Sequence, residues 1–301
     1  MKKKYKSVPF VKSSCILLFF IFIVNCLGQN LSLRKCRDKE YNCKYSNYAS
    51  QAGSRCSGKP DLYSCLILEY TRIVETNSDD PVAYSLRGQI YLIREIDKSI
   101  SDYKKAIEVD PNYLLAYIML ASNFNKKKEY KAAVNVLTQA LEIAPENSSI
   151  YYSLGRTYAE KKDYNQAILT INKLLEIKPG DSDFYIHRGE IFQEKGDVSK
   201  AISDYNKAIE SNSRNEEAYY KRADVYFSLK LFNEAVADYT KAIELNPRNW
   251  YNYYNRGFIY WKIGNKSNAD ADCRKAVSLK GQTKNKKPII TDYCTIYGNC
   301  K

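Results

Sequence analysis

From about residue 60 to residue 280, apolar and small residues return every three or four positions. That spacing gathers them on one face of an α-helix instead of alternating them across a strand. In the stretch EEAYYKRADVYFSLKLFNEAVADYTKAIELNPRN, which runs from Glu216 to Asn249, Tyr219, Ala223 and Tyr226 mark one such face, and Phe232, Ala235, Tyr239 and Ala242 mark a second. A short break separates the two runs. In other copies it reads Lys195-Gly196-Asp197 or Ile263-Gly264-Asn265, where glycine can take the left-handed conformation that ends a helix. Pro247 closes the second run, because proline lacks an N–H and clashes with the turn before it. The pattern predicts helix, turn, helix, with the small residues placed where two backbones cross closely.

The unit recurs. A 34-residue shift superposes Ala121, Gly155, Gly189, Ala223 and Gly257, and with them Pro111, Pro145, Pro179 and Pro247. Six copies begin at Pro81, Leu114, Ser148, Ser182, Glu216 and Trp250, and the fourth residue of each is tyrosine: Tyr84, Tyr117, Tyr151, Tyr185, Tyr219 and Tyr253. On these residues the chain resembles the tetratricopeptide repeat family, whose signature places aromatic, small and proline residues at these intervals. The resemblance implies an all-α fold, a right-handed superhelical solenoid of antiparallel helix pairs. Three departures are local: the first copy is one residue short between Gly88 and Ser99, the fourth ends on Ser213 instead of proline, and the sixth ends on Gly281. The expected organisation is a signal peptide over 1–25, a cysteine-bearing segment with a degenerate first helix over 26–59, and the second helix of a partial leading repeat over 60–80. Six repeats follow over 81–113, 114–147, 148–181, 182–215, 216–249 and 250–283, and a basic, cysteine-bearing tail covers 284–301. In the leading repeat Tyr63, Leu66, Tyr70 and Ile73 fill the slots of Phe232, Ala235, Tyr239 and Ala242, and its first helix is expected near Tyr41 to Ser54, bridged to the second by a disulfide.

A length of 301 residues would suggest two domains, but a repeat array grows by stacking and counts as one. The formal charge of +13 suggests nucleic acid until it is located. Met1 to Lys12 holds five lysines and no acid, Arg34 and Lys35 add two charges, and Lys280 to Lys301 holds five lysines against Asp292, which leaves +2 for the rest. The array carries no basic stripe, so no nucleic-acid partner is expected.

The N-terminus joins a lysine-rich start to an apolar run from Cys15 to Val24, too short for a membrane span and suited to an export signal. Cleavage falls before Cys26 or after Gly28. In the first case IVNC resembles the lipobox of bacterial lipoproteins, with Cys26 the acylated residue and the lipid the link to a membrane. Cys36, Cys43, Cys56, Cys65, Cys294 and Cys300 flank the array and are disulfide candidates, with Cys273, inside a repeat helix, as a further one. This placement suits an oxidising compartment, and the four N-terminal cysteines allow three connectivities. The tail either folds Ile289, Ile290, Tyr293 and Tyr297 back over the last helix pair, tied by a bridge among Cys273, Cys294 and Cys300, or frays around a local loop.

Catalytic and metal chemistry find little support. There are no paired C-x-x-C elements, no glycine-rich phosphate loop and no metalloprotease or nucleophile-elbow sequence, and the sole histidine, His187, reads as a polar surface group. Glu216-Glu217 and Asp79-Asp80 stand at helix starts, where they complement the helix dipole. No cofactor or metal is expected and the chain is not read as an enzyme.

What the family resemblance implies is a groove along the first helices, lined by positions 2, 5, 9 and 12 of each repeat, that receives a protein or peptide. Positions 5 and 9 include Ser85, Gln89 and Ile186. The strongest candidates are Tyr152, Arg156, Glu190, Tyr220, Asp224, Phe227, Tyr251, Tyr254, Phe258 and Trp261, aromatic toward the C-terminal end and charged in the middle. The expected function is an exported scaffold that binds a partner there. A structural spacer, with the rings as packing alone, is the alternative, and an enzyme is the third reading.

Overall fold

A computed structural model describes residues 36–282, with side chains from residue 44 to residue 280. Among the described residues there are fourteen helices and no strand. They fall into two units, one ending at Glu129 and the other beginning at Tyr130.

The first unit contains α1 (Cys36–Cys56), α2 (Leu62–Thr76), α3 (Pro81–Tyr91), α4 (Ile96–Val109) and α5 (Leu114–Lys126). Each packs on the next, and α1 also reaches α3. α1 outruns the span from Tyr41 to Ser54 at both ends. Its tyrosines anchor it: Tyr45 donates its hydroxyl to Gln89 Oε1 at 2.7 Å, and Tyr48 donates to Asp80 Oδ2 at 3.0 Å. Burial is the main influence on Tyr45 and pushes its phenol up to about 12. A disulfide joins Cys56, the last residue of α1, to Cys65 in the first turn of α2. Leu66, Tyr70, Ile73, Leu86, Ile90 and Tyr103 form the centre of this unit's core. α3 is short because its helix gives way to turns after Tyr91, where the first repeat lacks a residue.

The second unit contains α6 (Tyr130–Ile143), α7 (Ser148–Glu160), α8 (Tyr164–Ile177), α9 (Ser182–Lys195), α10 (Val198–Ser211), α11 (Glu216–Ser228), α12 (Phe232–Leu245), α13 (Trp250–Lys262) and α14 (Lys266–Gln282). α7 pairs with α8, α9 with α10, α11 with α12 and α13 with α14, and each pair packs on its neighbour. The starts are set by side chains: Asn147, Asp181, Asn215 and Asn249 each accept the backbone N–H two residues on, satisfying one of the orphan donors of a first turn. Close crossing requires glycine at Gly189, where an added Cβ would sit 2.8 Å from the Tyr205 ring, and at Gly155, where it would sit 2.5 Å from Ile171 Cδ1. Between first and second helices the turn residue is left-handed: Gly196 in one pair, but Lys162 (φ 65°) and Lys230 (φ 61°) in others.

Candidate partner-binding surface

Three first helices of the second unit, α9, α11 and α13, are fixed by a repeated buried clamp. The Arg222 guanidinium donates from Nε and Nη2 to the two Asp238 oxygens at 2.7 Å each, and from Nη1 to Asn206 Oδ1 at 2.6 Å. Arg188 binds Asp204 and Asn172 in the same way, and Arg256 binds Asp272 and Thr240. Each arginine therefore ties a first helix both to its own second helix and to the second helix of the preceding pair. The guanidinium of Arg222 also lies between aromatic rings, those of Tyr219 and Tyr226 at 5.9 and 5.7 Å. The same arginine–ring contact recurs at Tyr84, Tyr185 and Tyr253, whereas Tyr117 and Tyr151 stand three residues before leucine and lack it. Tyr84 and Tyr117 are buried, whereas Tyr151, Tyr185, Tyr219 and Tyr253 are half-buried. The hydroxyls of Tyr84, Tyr117 and Tyr219 donate to the carbonyl six residues back, a bond that phenylalanine could not make. The 34-residue interval of Arg188, Arg222 and Arg256, matched by Asp204, Asp238 and Asp272, was the available sequence signal for the clamp.

On this frame the candidate residues meet in three groups. In the first, the Tyr152 ring lies 4.9 Å from the His187 ring and 6.4 Å from Phe184. Glu190 is paired with Lys221, and its Oε2 lies 3.5 Å from His187 Nδ1. Burial alone would raise the Glu190 carboxyl, but the hydrogen bonds from His187 and Lys221 outweigh it and hold it below the usual range. Arg156 is exposed and pairs with Glu160 at 3.3 Å. Arg156, Ala159, Glu160, His187 and Glu194 surround a shallow hollow of about 160 Å³. His187 is thus not a free surface group: its side chain is only 13% exposed.

In the second group Asp224 accepts hydroxyl hydrogen bonds from Tyr239 and, at 3.2 Å, from Tyr251. Burial raises the Asp224 carboxyl above its ordinary value against the pull of those two hydroxyls. Burial likewise raises the phenols of Tyr239 and Tyr251, and Asp224 adds to the effect. Tyr220 meets Tyr251 edge-on at 5.8 Å and donates to Glu217 at 2.8 Å. In the third group Phe258 lies 5.7 Å from Phe227 and stacks on Trp261 at 5.8 Å, while Tyr254 packs on Trp250 at 6.3 Å.

Two of the groove positions are core instead: Ser85 is buried, and Ile186 is buried in the cluster with Ala201, Tyr205 and Ala218. Glu216 does more than complement a dipole: it accepts the side-chain amides of Asn246, at the end of its own pair, and of Asn249 and Asn252 from the following pair. Lys221, which the sequence did not single out, binds Glu190 from position 6 of the next repeat. Among the described residues no group of three or more His, Cys, Asp or Glu side chains could hold a metal ion. Cys273 takes part in a disulfide. Cys26, Cys294, Cys300 and the side chains of Cys36 and Cys43 lie outside the described residues, as do the signal peptide and the tail.

Comparison with known proteins bears on the fold. Tetratricopeptide repeat models match residues 82–113, 124–186 and 251–283, and a TPR repeat model matches residues 189–230 and 223–264. No curated protein sequence matches the chain. Among solved structures, a tetratricopeptide repeat protein from Parabacteroides merdae is similar at 20% identity and a TM-score of 0.59, covering 82% of this chain and 96% of its own. The APC/C hetero-tetramer Cut9-Hcn1 is similar at 15% identity and a TM-score of 0.54, over 90% of this chain and 58% of its own. MamA aligns at 24% identity over 55% of this chain and 96% of its own, with a TM-score of 0.48. With helix pairs, close small-residue crossings and family models in register from residue 82 to residue 283, the chain is a tetratricopeptide repeat protein.

Proposed function

We propose that the chain is an exported scaffold, anchored to a bacterial envelope through acylated Cys26, that holds a protein or peptide partner against the first-helix surface of residues 148–262. The observation that carries this reading is the strip of half-buried rings shared by α11 and α13, in which Tyr220 meets Tyr251 and Phe227 meets Phe258 and, through it, Trp261. Aromatic groups offer large contact area at low entropic cost, which is why they dominate binding hot spots. The function is binding, not catalysis. Export is supported by the disulfide between Cys56 and Cys65, a bond that persists in oxidising compartments. Acylation of Cys26 rests on the IVNC pattern alone.

The test places a photo-crosslinking amino acid at Tyr220 or Tyr254, and at the solvent-facing Lys173 as a control. One shared partner crosslinked from the first two sites and not from the third is expected, with Trp261→Ala weakening capture at unchanged thermal stability. The contacts among the rings favour a second reading, a structural spacer. In that case Trp261→Ala lowers the melting temperature and no groove-specific partner appears. Intact mass of the mature chain tests the anchor, since a protein starting at unmodified Gln29 removes it.

A further inference from the structure

The turns that join first to second helices in the second unit change character along the array. At position 14 of a repeat stand Lys161 and Lys195, and Lys195 donates to Asn165 Oδ1, near the start of the preceding second helix, at 2.7 Å. The next two repeats put Leu229 and Ile263 there. At position 16, Asp163 and Asn265 accept the backbone N–H three residues on, the bond that caps a helix start. Leu231 holds that place before α12 and makes no such bond. All three aliphatic side chains are open to water: Leu229 is 45% exposed, Leu231 40% and Ile263 46%. A helix cap is forgone for an uncovered leucine, which folding alone does not favour.

The three share one edge. The register that sets Lys195 on Asn165 places Ile263 beside Asn233, two residues after Leu231. Lysines surround them: Lys230 between the leucines in a left-handed turn (φ 61°), Lys262 next to Ile263, and Lys266 at the start of α14, all exposed. From Ser228 to Glu234 and from Lys262 to Asn268 these three cations meet one acid, Glu234, a net of +2.

That chemistry selects the occupant. Protein interfaces centre on aromatic and arginine anchors and are depleted in lysine. The exposed residues within 228–231 and 262–268 include no ring and no arginine. Aliphatic side chains rimmed by lysine suit the boundary of an anionic bilayer, where the apolar groups enter the acyl region and the ammonium groups stay at the phosphates.

We propose that the turn edge formed by Leu229, Leu231 and Ile263 with Lys230, Lys262 and Lys266 docks on a bilayer rich in anionic phospholipid. This contact is separate from acylated Cys26 and from the ring surface, and it rests on neither.

The experiment uses the full chain with a photo-crosslinking amino acid at position 231 or 263, or at Leu169 on α8, which is 57% exposed and serves as the control. Vesicles are phosphatidylcholine alone or an equal mixture with phosphatidylglycerol, at limiting lipid. The readout is the mass of a lipid adduct on the labelled peptide, so membrane contacts elsewhere in the chain do not enter it. Adducts at 231 and 263 but not at 169 are expected on the anionic vesicles. Each lysine near an anionic surface strengthens binding about fivefold, so Lys230→Gln with Lys266→Gln should lower the yield about 25-fold. With the probe at 263, Leu231→Asn should also lower the yield while the melting temperature holds or rises, because asparagine caps α12. Equal yields at 231 and 169, or equal yields on the two kinds of vesicle, overturn the proposal. So does a protein adduct at 231 in cells in place of lipid, whether to an acidic partner or to a second copy of this chain. Crosslinks from Tyr220 and Tyr254 are read at other residues, so failure of the partner surface leaves this result standing.

Discussion

Replacing Arg222 and Asp238 together should cost far less stability than replacing either alone. The chain supplies the substitution: in the third repeat the same two positions are Leu154 and Thr170. Asp238 is 9% exposed and Arg222 19%, with two 2.7 Å hydrogen bonds between them. Arg222→Leu leaves the carboxylate buried without its cation, a loss of roughly 3 kcal/mol, at the low end of 3–5 because the clamp's outer edge keeps some solvent. Asp238→Thr leaves a guanidinium held only by Asn206 and costs about 2 kcal/mol on the same grounds. The double variant loses the favourable pair and its desolvation penalty together, so its cost is about 1 kcal/mol. At about 2–4 °C per kcal/mol for a chain of this size, the arginine variant melts about 6–12 °C lower and the double variant within about 4 °C of the parent. Because repeat arrays can unfold in parts, amide exchange in α11 and α12 accompanies the thermal melts. A double variant as unstable as the sum of the single ones would show that the two charges are uncoupled and refute the clamp.

Other consequences are simpler to read. Lys230 holds a left-handed turn that costs an L-residue about 1–2 kcal/mol, partly offset by the flexibility glycine adds to the unfolded chain, so Lys230→Gly should stabilise by about 0.5 kcal/mol in urea titration. Gly189→Ala drives a Cβ into the Tyr205 ring and should cost about 1–3 kcal/mol in the same assay, with a neutral result contradicting the close crossing. Asp224 has a carboxyl raised by burial, so the folded state binds its proton more readily than the unfolded chain does. Its stabilising contribution is complete below the unfolded value of 3.8 and is lost as pH rises through the higher folded value. Asp224→Asn should therefore gain melting temperature over the parent at pH 7 and less at pH 3.5, and the reverse order would reject the assignment.

How much of this was legible follows from what each pattern encodes. A 34-residue period fixes where first and second helices lie, because core spacing and turn chemistry repeat with it, and the helices starting at Leu114, Ser148, Ser182, Glu216 and Trp250 begin where the period places them. Contacts between successive helices were less legible. Assigning groove positions helix by helix could not show that position 6 of one repeat meets position 5 or 9 of the one before, as His187 meets Tyr152 and Lys221 meets Glu190. The clamps were hidden for a related reason: arginine and aspartate cancel in a regional net charge, which says nothing about where opposite charges touch. The same cancellation bears on recognition. Glu190 is held by Lys221 and His187, Asp224 by two tyrosine hydroxyls, and Arg156 by Glu160, so the charges at the middle of the surface are already satisfied within the chain. What remains for a partner is ring area. Binding through it should change little between low and physiological salt, whereas a partner steered by Glu190 and Asp224 would weaken steeply as the Debye length falls from about 30 to about 8 Å.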